Sequence, residues 1–479
     1  MRQLIWFQRD LRLQDHAPIH RALSNGGACL FGYIHDPALA QGEANQAWLV
    51  KSLESLQQDL QEKGANLLVA EGPFDHEFER ILIKHKITDV LYHFELGEPY
   101  QTAQQHALRI CKQHQVRLTP FDQTWLSPET ILTQQGKPYG VYTPFSKKVM
   151  SQLDDVPKAE GQANWSQLKT IELEPKDTRP PQTLQKISSA SWAQRMLKHW
   201  HIGEQAAWSL AKQFLTDKMT QYPNQRDFPG VSGTSQLSTH LHFGEISSTA
   251  LLEQCRDALV NRPAHGDAIQ SFIRQLIWRE FARYLLFFNP KLQTHAYQEK
   301  FNHLDWPEPN ESVMAWQKGV TGIPIIDAGM RQLWQTGWMH NRVRMLVASW
   351  LTKNLNQHWL IGQRWFEQTL IDADIPNNVM GWQWVAGCGV DAAPYFRLFN
   401  PVVQSEKFDP QGVYIRKWLP ELTPLPTNIL HAPWEAANSI KQQFPDIAAH
   451  YPLADPNLKQ ARLNHQQRVQ QLKTMTLAL

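Results

Sequence analysis

The first 122 residues alternate short apolar runs with amphipathic stretches, and this alternation constrains the fold more than any other feature of the chain. Residues 4–7, 29–34, 67–70, 90–94 and 116–119 read as strands that are apolar on both faces. Such strands are covered on both sides. Between them, residues 44–61 place Leu49, Leu53, Leu56 and Leu60 on one helical stripe, and 74–85 and 100–114 show the same spacing. Strand and helix in regular succession predict an α/β doubly wound parallel sheet. Its ligand crevice is expected at the carboxyl ends of the strands. The turn after the first strand, Gln8-Arg9-Asp10-Leu11-Arg12-Leu13, lacks the Gly-x-Gly-x-x-Gly that cradles a pyrophosphate. A dinucleotide is therefore expected elsewhere in the chain.

Beyond Asp122 the pattern weakens. Residues 151–182 mix Pro, Asp, Lys, Gln and Glu with little period, whereas Val141-Tyr142-Thr143-Pro144-Phe145 is aromatic enough to pack. From about residue 192 the helical period takes over, at 270–288, 325–335, 342–355, 364–372 and 379–388. The expected organisation is an α/β domain over 1–125, an interdomain linker over 126–191, and an all-α domain over 192–479.

Lys and Arg total 47 against 45 Asp and Glu, a formal charge of +2, so the chain is no bulk polycation and any basic patch must be local. Cys29, Cys111, Cys255 and Cys388 are too scattered for a disulfide scaffold or a CxxC metal site, and no metal is expected. The first ten residues carry charge and no apolar signal region, and no run approaches a membrane span. A reduced, cytoplasmic protein is expected. Most of the 19 tryptophans fall in the C-terminal half.

Three clusters could carry chemistry. Thr234-Ser235-Gln236-Leu237-Ser238 follows Gly230 and Gly233 and places three hydroxyls before an apolar helix. Taken alone it reads first as a helix cap and second as an anion site. Asp372-Ala373-Asp374-Ile375-Pro376-Asn377-Asn378 sets two carboxylates in a Trp-rich region downstream of Arg342 and Arg344. Buried carboxylates need such partners. Aromatic and basic residues interleave around Trp278-Arg279, Trp338 to Arg342 and Trp382-Gln383-Trp384, a composition suited to stacking on a base and holding its phosphates.

These clusters sit inside longer motifs: WFQRDLRLQDH at 6–16, GTSQLS at 233–238, LIWREF at 276–281, TGIPIIDAGMRQLWQTGWMHNRVRM at 321–345, DADIPNNVMGWQW at 372–384, DAAPYFRLFNP at 391–401 and EKFDPQGVYIRKWLPEL at 406–422. Together they resemble the photolyase/cryptochrome family over nearly the whole chain. The resemblance implies an α/β antenna domain and a helical domain that binds FAD in a bent form. By motif, Tyr222, Thr234, Ser235, Gln236, Leu237 and Ser238 would contact the FAD phosphates and ribityl chain. Arg344, Asp372 and Asp374 would surround the flavin, and Asn378 would face its N5 as a neutral amide. Trp382, Trp359 and Trp306 match the family's electron relay from flavin to surface.

The implied activity is light-driven repair, in which photoexcited reduced FAD donates an electron to a cyclobutane pyrimidine dimer flipped out of UV-damaged DNA. Trp278 and Trp384 would pack on the dimer, and Arg226, Arg279, Asn341, Arg342, Met345 and Gln404 would line the pocket or touch DNA. Gln275 stands where cyclobutane-repair enzymes commonly carry Glu, and Gln236 replaces a frequent Arg. The alternatives are a cryptochrome-type signalling photoreceptor and a (6-4) photolyase. His340-Asn341 lacks the His pair of the (6-4) enzymes. An antenna chromophore, methenyltetrahydrofolate or a deazaflavin, is expected near His93, Phe94 and Glu95. A monomer with no membrane and no obligate protein partner is expected.

Overall fold

Strand β1 (Arg2–Phe7) has no polar face to offer solvent: Leu4, Ile5, Trp6 and Phe7 are each at most 2% exposed. It therefore takes the centre of its sheet. In the computed structural model, which describes residues 1–478, β1 pairs with β2 (Ala28–His35) on one side and β4 (Asp89–His93) on the other. β3 (Leu67–Glu71) and β5 (Arg117–Phe121) complete the parallel order β3-β2-β1-β4-β5. Ile5 lies opposite Phe31 and Leu91. Alternation along the strands sends Leu4, Trp6, Leu30, Val90 and Tyr92 to one face. There they meet Phe74, Phe78 and Ile81 of α3 (Phe74–Lys84) and Ala107 and Ile110 of α4 (Tyr100–Gln113). The expected stripe of α2 (Glu43–Glu62) is buried at Leu49, Leu53, Leu56 and Leu60. Sequence reading missed α1 (Ala17–Ser24), a helix too short to show a period, started by the His16 side chain accepting from the Ile19 N–H.

Residues 126–191 are not a simple linker. Phe145 of α5 (Tyr142–Ser151) is buried, and β6 (Lys169–Thr170) pairs with the start of β2. Isolated anchors such as Val156, Ile171 and Leu184 fix the segment, so no stripe shows in its sequence.

The chain divides into two compact units that cut across the expected boundaries. One comprises Met1–Thr220, Ser235–Pro290 and Ile371–Pro376, and the other Gln221–Thr234, Lys291–Leu370 and Asn377–Leu479. Helix α6 (Gly266–Phe288) falls in the first because Phe281 and Tyr284 pack on Phe145 with ring centroids 4.8 Å apart in both cases. The second unit is helical, with α7 (Pro324–Thr336), α8 (Asn341–Ser349), α9 (Trp359–Thr369), most of α10 (Ile375–Ala386), and α11 (Leu458–Ala478). Among the described residues no strand follows Thr170, and no helix is long and apolar enough to cross a membrane. The helix expected at 364–372 begins earlier, at Trp359, where the His358 side chain caps it, and ends at Thr369. Asp372 and Asp374 consequently lie on a non-helical turn, closed by the Asp374 N–H donating to the Asp372 carbonyl at 2.7 Å.

Candidate active site

In the first unit, the chain leaves β1 straight into a buried polar network. Asp10 Oδ2 accepts from His16 Nε2 and His93 Nδ1, both at 2.8 Å, and Oδ1 accepts from the Gln8 N–H at 2.7 Å. Burial opposes the charge, but the hydrogen bonds from His16 and His93 outweigh it and hold the Asp10 carboxyl below its ordinary range. Burial also keeps the imidazoles neutral, His93 down to about 3.

Arg9, next in the chain, pairs with Asp374, and its Nε donates to the His242 carbonyl at 2.8 Å. Burial pushes the Asp374 carboxyl up, yet the Arg9 and Arg279 charges prevail and hold it well below the usual range. Arg279 itself pairs with Glu280 at 3.2 Å and its side chain is only 16% exposed. Its place is in this network, where burial leaves its guanidinium little access to a DNA phosphate.

The residues expected to hold an antenna are already engaged. His93 bonds Asp10, Glu95 pairs with Arg283 at 3.2 Å, and the Phe94 N–H bonds the Phe121 carbonyl. The open space at the carboxyl ends of the strands lies instead along β1 and β2. It is a cleft of about 600 Å³, its mouth included, lined among others by Tyr33, His35, Asp36, Asn45, Phe74 and Tyr100.

On α6, Trp278 stacks on Tyr142 with centroids 3.4 Å apart and planes within 5°, and the Tyr142 hydroxyl donates to the Arg274 carbonyl at 2.9 Å. That sandwich fixes the plane of a half-buried indole. Gln275 is half-buried on the preceding turn, its Nε2 at 3.4 Å from the Ser271 carbonyl.

The 234–238 hydroxyls do not cap the helix that follows. Ser238–Phe243 has Leu237 at its N-cap position and no side-chain cap bond, while Ser235 Oγ accepts from the Leu237 N–H at 3.4 Å. Gln236 takes a left-handed φ of 56°. A Cβ at Gly233 would stand 2.6 Å from that of Gln225, so only glycine lets the turn close there.

In the second unit one helical turn gathers several expected residues. His340 Nδ1 accepts from the Arg342 N–H at 3.2 Å and starts α8 at Asn341, which is exposed. Arg342 pairs with Asp227 at 2.9 Å, lies 4.3 Å over the Phe408 ring, and places Nη1 4.0 Å from Met345 Sδ. Gln404 is half-buried on Pro401–Phe408, the helix that carries Phe408. Arg226 lies 5.8 Å from the ring of Tyr222. Arg344 Nε donates to the Met339 carbonyl at 2.7 Å. The result is a local cluster of cations and aromatics on a chain of near-zero net charge.

Helix α10 presents Asn378 and, one turn on, Gly381. Asn378 Nδ2 donates to the Gln363 carbonyl at 3.1 Å, which orients the amide, and a Cβ added at Gly381 would meet no atom within 4 Å. The open space over Gly381 beside that oriented amide leaves room along α10 for a group with a planar ring. FAD is such a group. Trp382, next in the chain after Gly381, is 2% exposed. Its ring fills the notch left by Gly362, where a Cβ would be 2.0 Å from Cη2, and it lies 5.0 Å from the Phe366 ring. Along α9 follows Trp359, also 2% exposed. His358 stands between Trp359 and Trp306, with centroids at 5.5 and 5.1 Å. Trp384 is half-buried.

Sequence reasoning missed Arg9, Gly362 and His358. Arg9 stood inside a quoted motif, but nothing in its spacing shows a partner more than 300 residues away. The small residue three positions after Trp359 was the one available sign of the Gly362 notch.

A parallel α/β sheet in one unit, and in the other helices with an oriented amide and a line of indoles, are the parts of a flavin-binding protein. Residues 3–163 match the family model described as DNA photolyase, and residues 272–471 the one described as the FAD binding domain of DNA photolyase. The chain belongs to the DNA photolyase family. It is 36% identical over 454 residues to the deoxyribodipyrimidine photo-lyase of Agrobacterium fabrum, covering 94% of each chain. It is 35% identical to that of Escherichia coli, covering 96% of each. Its fold matches the crystal structure of a bacterial class III photolyase from Agrobacterium tumefaciens with a TM-score of 0.90, at 33% identity and 98% coverage of both.

Proposed function

We propose that this chain is a deoxyribodipyrimidine photo-lyase that uses FAD and light to split cyclobutane pyrimidine dimers in UV-damaged DNA. The observation that carries the reading is helix α10, which sets a neutral, oriented amide at Asn378, open space over Gly381 and the buried Trp382 indole within five residues. When bound and reduced, FAD supplies the photoexcited electron that opens the dimer and takes it back afterwards. Asn378, its Nδ2 committed to Gln363, turns its carbonyl oxygen into a fixed acceptor and brings neither a negative charge nor an acidic proton. Tyr222, Thr234 to Ser238, Arg344 and Asp372 hold the cofactor. Asp374 keeps that turn in place through Arg9.

Trp278 and Trp384 pack on the flipped lesion, with Gln275 near its base edges. Asn341, Arg342, Met345, Arg226 and Gln404 meet the strand that flanks it. The Trp382, Trp359 and Trp306 line re-reduces the cofactor. The cleft at the ends of β1 and β2 takes the antenna, folate or deazaflavin, and the protein works as a monomer in the cytoplasm.

The purified, photoreduced protein is expected to clear thymine dimers from an oligonucleotide under blue light and to leave a matched (6-4) lesion intact. Binding without repair would make it a signalling receptor, and repair of the second substrate alone would make it a (6-4) enzyme. The absorption spectrum assigns the antenna: a near-ultraviolet band above that of the flavin marks folate, and a band near the blue marks a deazaflavin.

A further inference from the structure

The outer end of the indole line carries a feature that the repair reading does not use. The guanidinium of Arg468, on α11, lies 4.8 Å from the centre of the Trp306 ring. It is tethered there by Nη2, which donates to the Asp305 carbonyl at 2.5 Å. The Trp306 indole nitrogen is buried and, among the described residues, has no hydrogen-bond partner, so none of them is hydrogen-bonded to take the proton of an oxidised Trp306. His358 does not fill that role. Its Nδ1 already accepts from the Leu360 N–H at 3.1 Å, and burial pushes its pKa down to about 4, helped by Arg364. It stands between Trp306 and Trp359 as a neutral spacer.

A cation over an indole face stabilises the neutral ring through its quadrupole. The same cation repels the ring once the ring has lost an electron. We propose that Arg468 is a positioning residue that makes Trp306 harder to oxidise and so holds back the last step of the electron relay. The proposal rests on reading Trp382, Trp359 and Trp306 as that relay. One electron passes from Trp306 to oxidised Trp359, leaving Trp306 as a radical cation. An external thiol then returns one electron to Trp306, becoming a thiyl radical and releasing its proton to solvent, and no bond in the chain is made or broken. At this distance, in a half-exposed setting that screens the charge, the positive charge is worth roughly tenfold in the sharing of the oxidising equivalent between Trp306 and Trp359.

The test uses Arg468→Gln and Arg468→Met, which remove the charge, Arg468→Lys, which keeps it, and each paired with Trp306→Phe. In the flavin-free chain, the one-electron oxidation equilibrium against a reference radical couple is measured by pulse radiolysis. The Trp306 contribution is the difference between each chain and its Trp306→Phe partner. Arg468→Gln and Arg468→Met are expected to shift it about tenfold toward the oxidised form, and Arg468→Lys to stay within about twofold of the parent. No shift in the uncharged variants, or an equal shift in Arg468→Lys, overturns the proposal. Photoreduction of the FAD-loaded chain with a thiol checks the relay separately. A Trp306→Phe chain that reduces at the parent rate defeats the relay itself. A slow one, with no effect of Arg468 on the equilibrium, defeats only the proposal.

Discussion

The network at the end of β1 is buried, the indole line that starts on α10 runs from buried Trp382 and Trp359 to half-buried Trp306, and the two treat charge in opposite ways. Around Asp10 and Arg9 every ion is permanent, and each is matched: Asp10 by three hydrogen bonds, Arg9 by Asp374 and a carbonyl, Glu95 by Arg283. Trp382, Trp359 and Trp306 are themselves uncharged at rest, a cation, Arg468, stands over the outermost ring, and among the described residues the Trp306 N–H has no partner. A permanent buried charge left unmatched is too costly to keep. A charge that exists only briefly during turnover needs no standing partner, and one placed there would pin it. The first arrangement holds backbone segments in place, and the second suits the electron relay proposed for it.

That contrast breaks most severely at Arg9. Arg9→Leu strands the Asp374 carboxylate in the interior and is expected to cost about 3–5 kcal/mol, read from the denaturant midpoint. The double change Arg9→Leu with Asp374→Leu should recover much of the loss, and a parent-like midpoint in the single variant would show that the pair does not matter for stability. Because the folded pKa values of Asp10 and Asp374 lie below the ordinary one, their contribution is complete above about pH 4, where unfolded carboxylates ionise. It is lost progressively as pH falls from there, so an acid titration of the midpoint should steepen below pH ~4 in the parent and be shallower in the double variant, which keeps only the Asp10 share.

In the indole line the expected loss is of rate rather than of fold. Trp382→Phe should slow photoreduction more than about tenfold while repair by chemically reduced enzyme stays within about twofold. Gly362→Ala places a methyl where the Trp382 ring lies. It should cost about 1–3 kcal/mol and disturb photoreduction as well, a coupling that circular dichroism and flash absorption can follow together.

The surface cations proposed to meet DNA make a third, milder case. Arg226→Ala should weaken damaged-DNA binding a few-fold and lower the slope of log K against log salt by about one. An unchanged slope would remove Arg226 from the DNA face. Smallest of all, Gln275→Glu should raise repair yield per photon at constant DNA affinity if the amide is a handicap on dimer splitting.

Periodicity alone determined the parallel sheet, the helical second half and the strand-end position of the crevice, because both 2-residue and 3.6-residue repeats are local properties. The motifs carried the family by resemblance, and with it the proposed flavin and repair residues. What only the tertiary structure decided are the partners across long sequence separations. Arg9 meets Asp374, Trp382 enters the notch at Gly362, Arg468 settles over Trp306, and residues 126–191 become part of the first unit. Spacing in a sequence carries no record of which distant segment will be folded against which, so an ion's mate, a ring's socket and a cation's target became visible only once the chain had closed on itself.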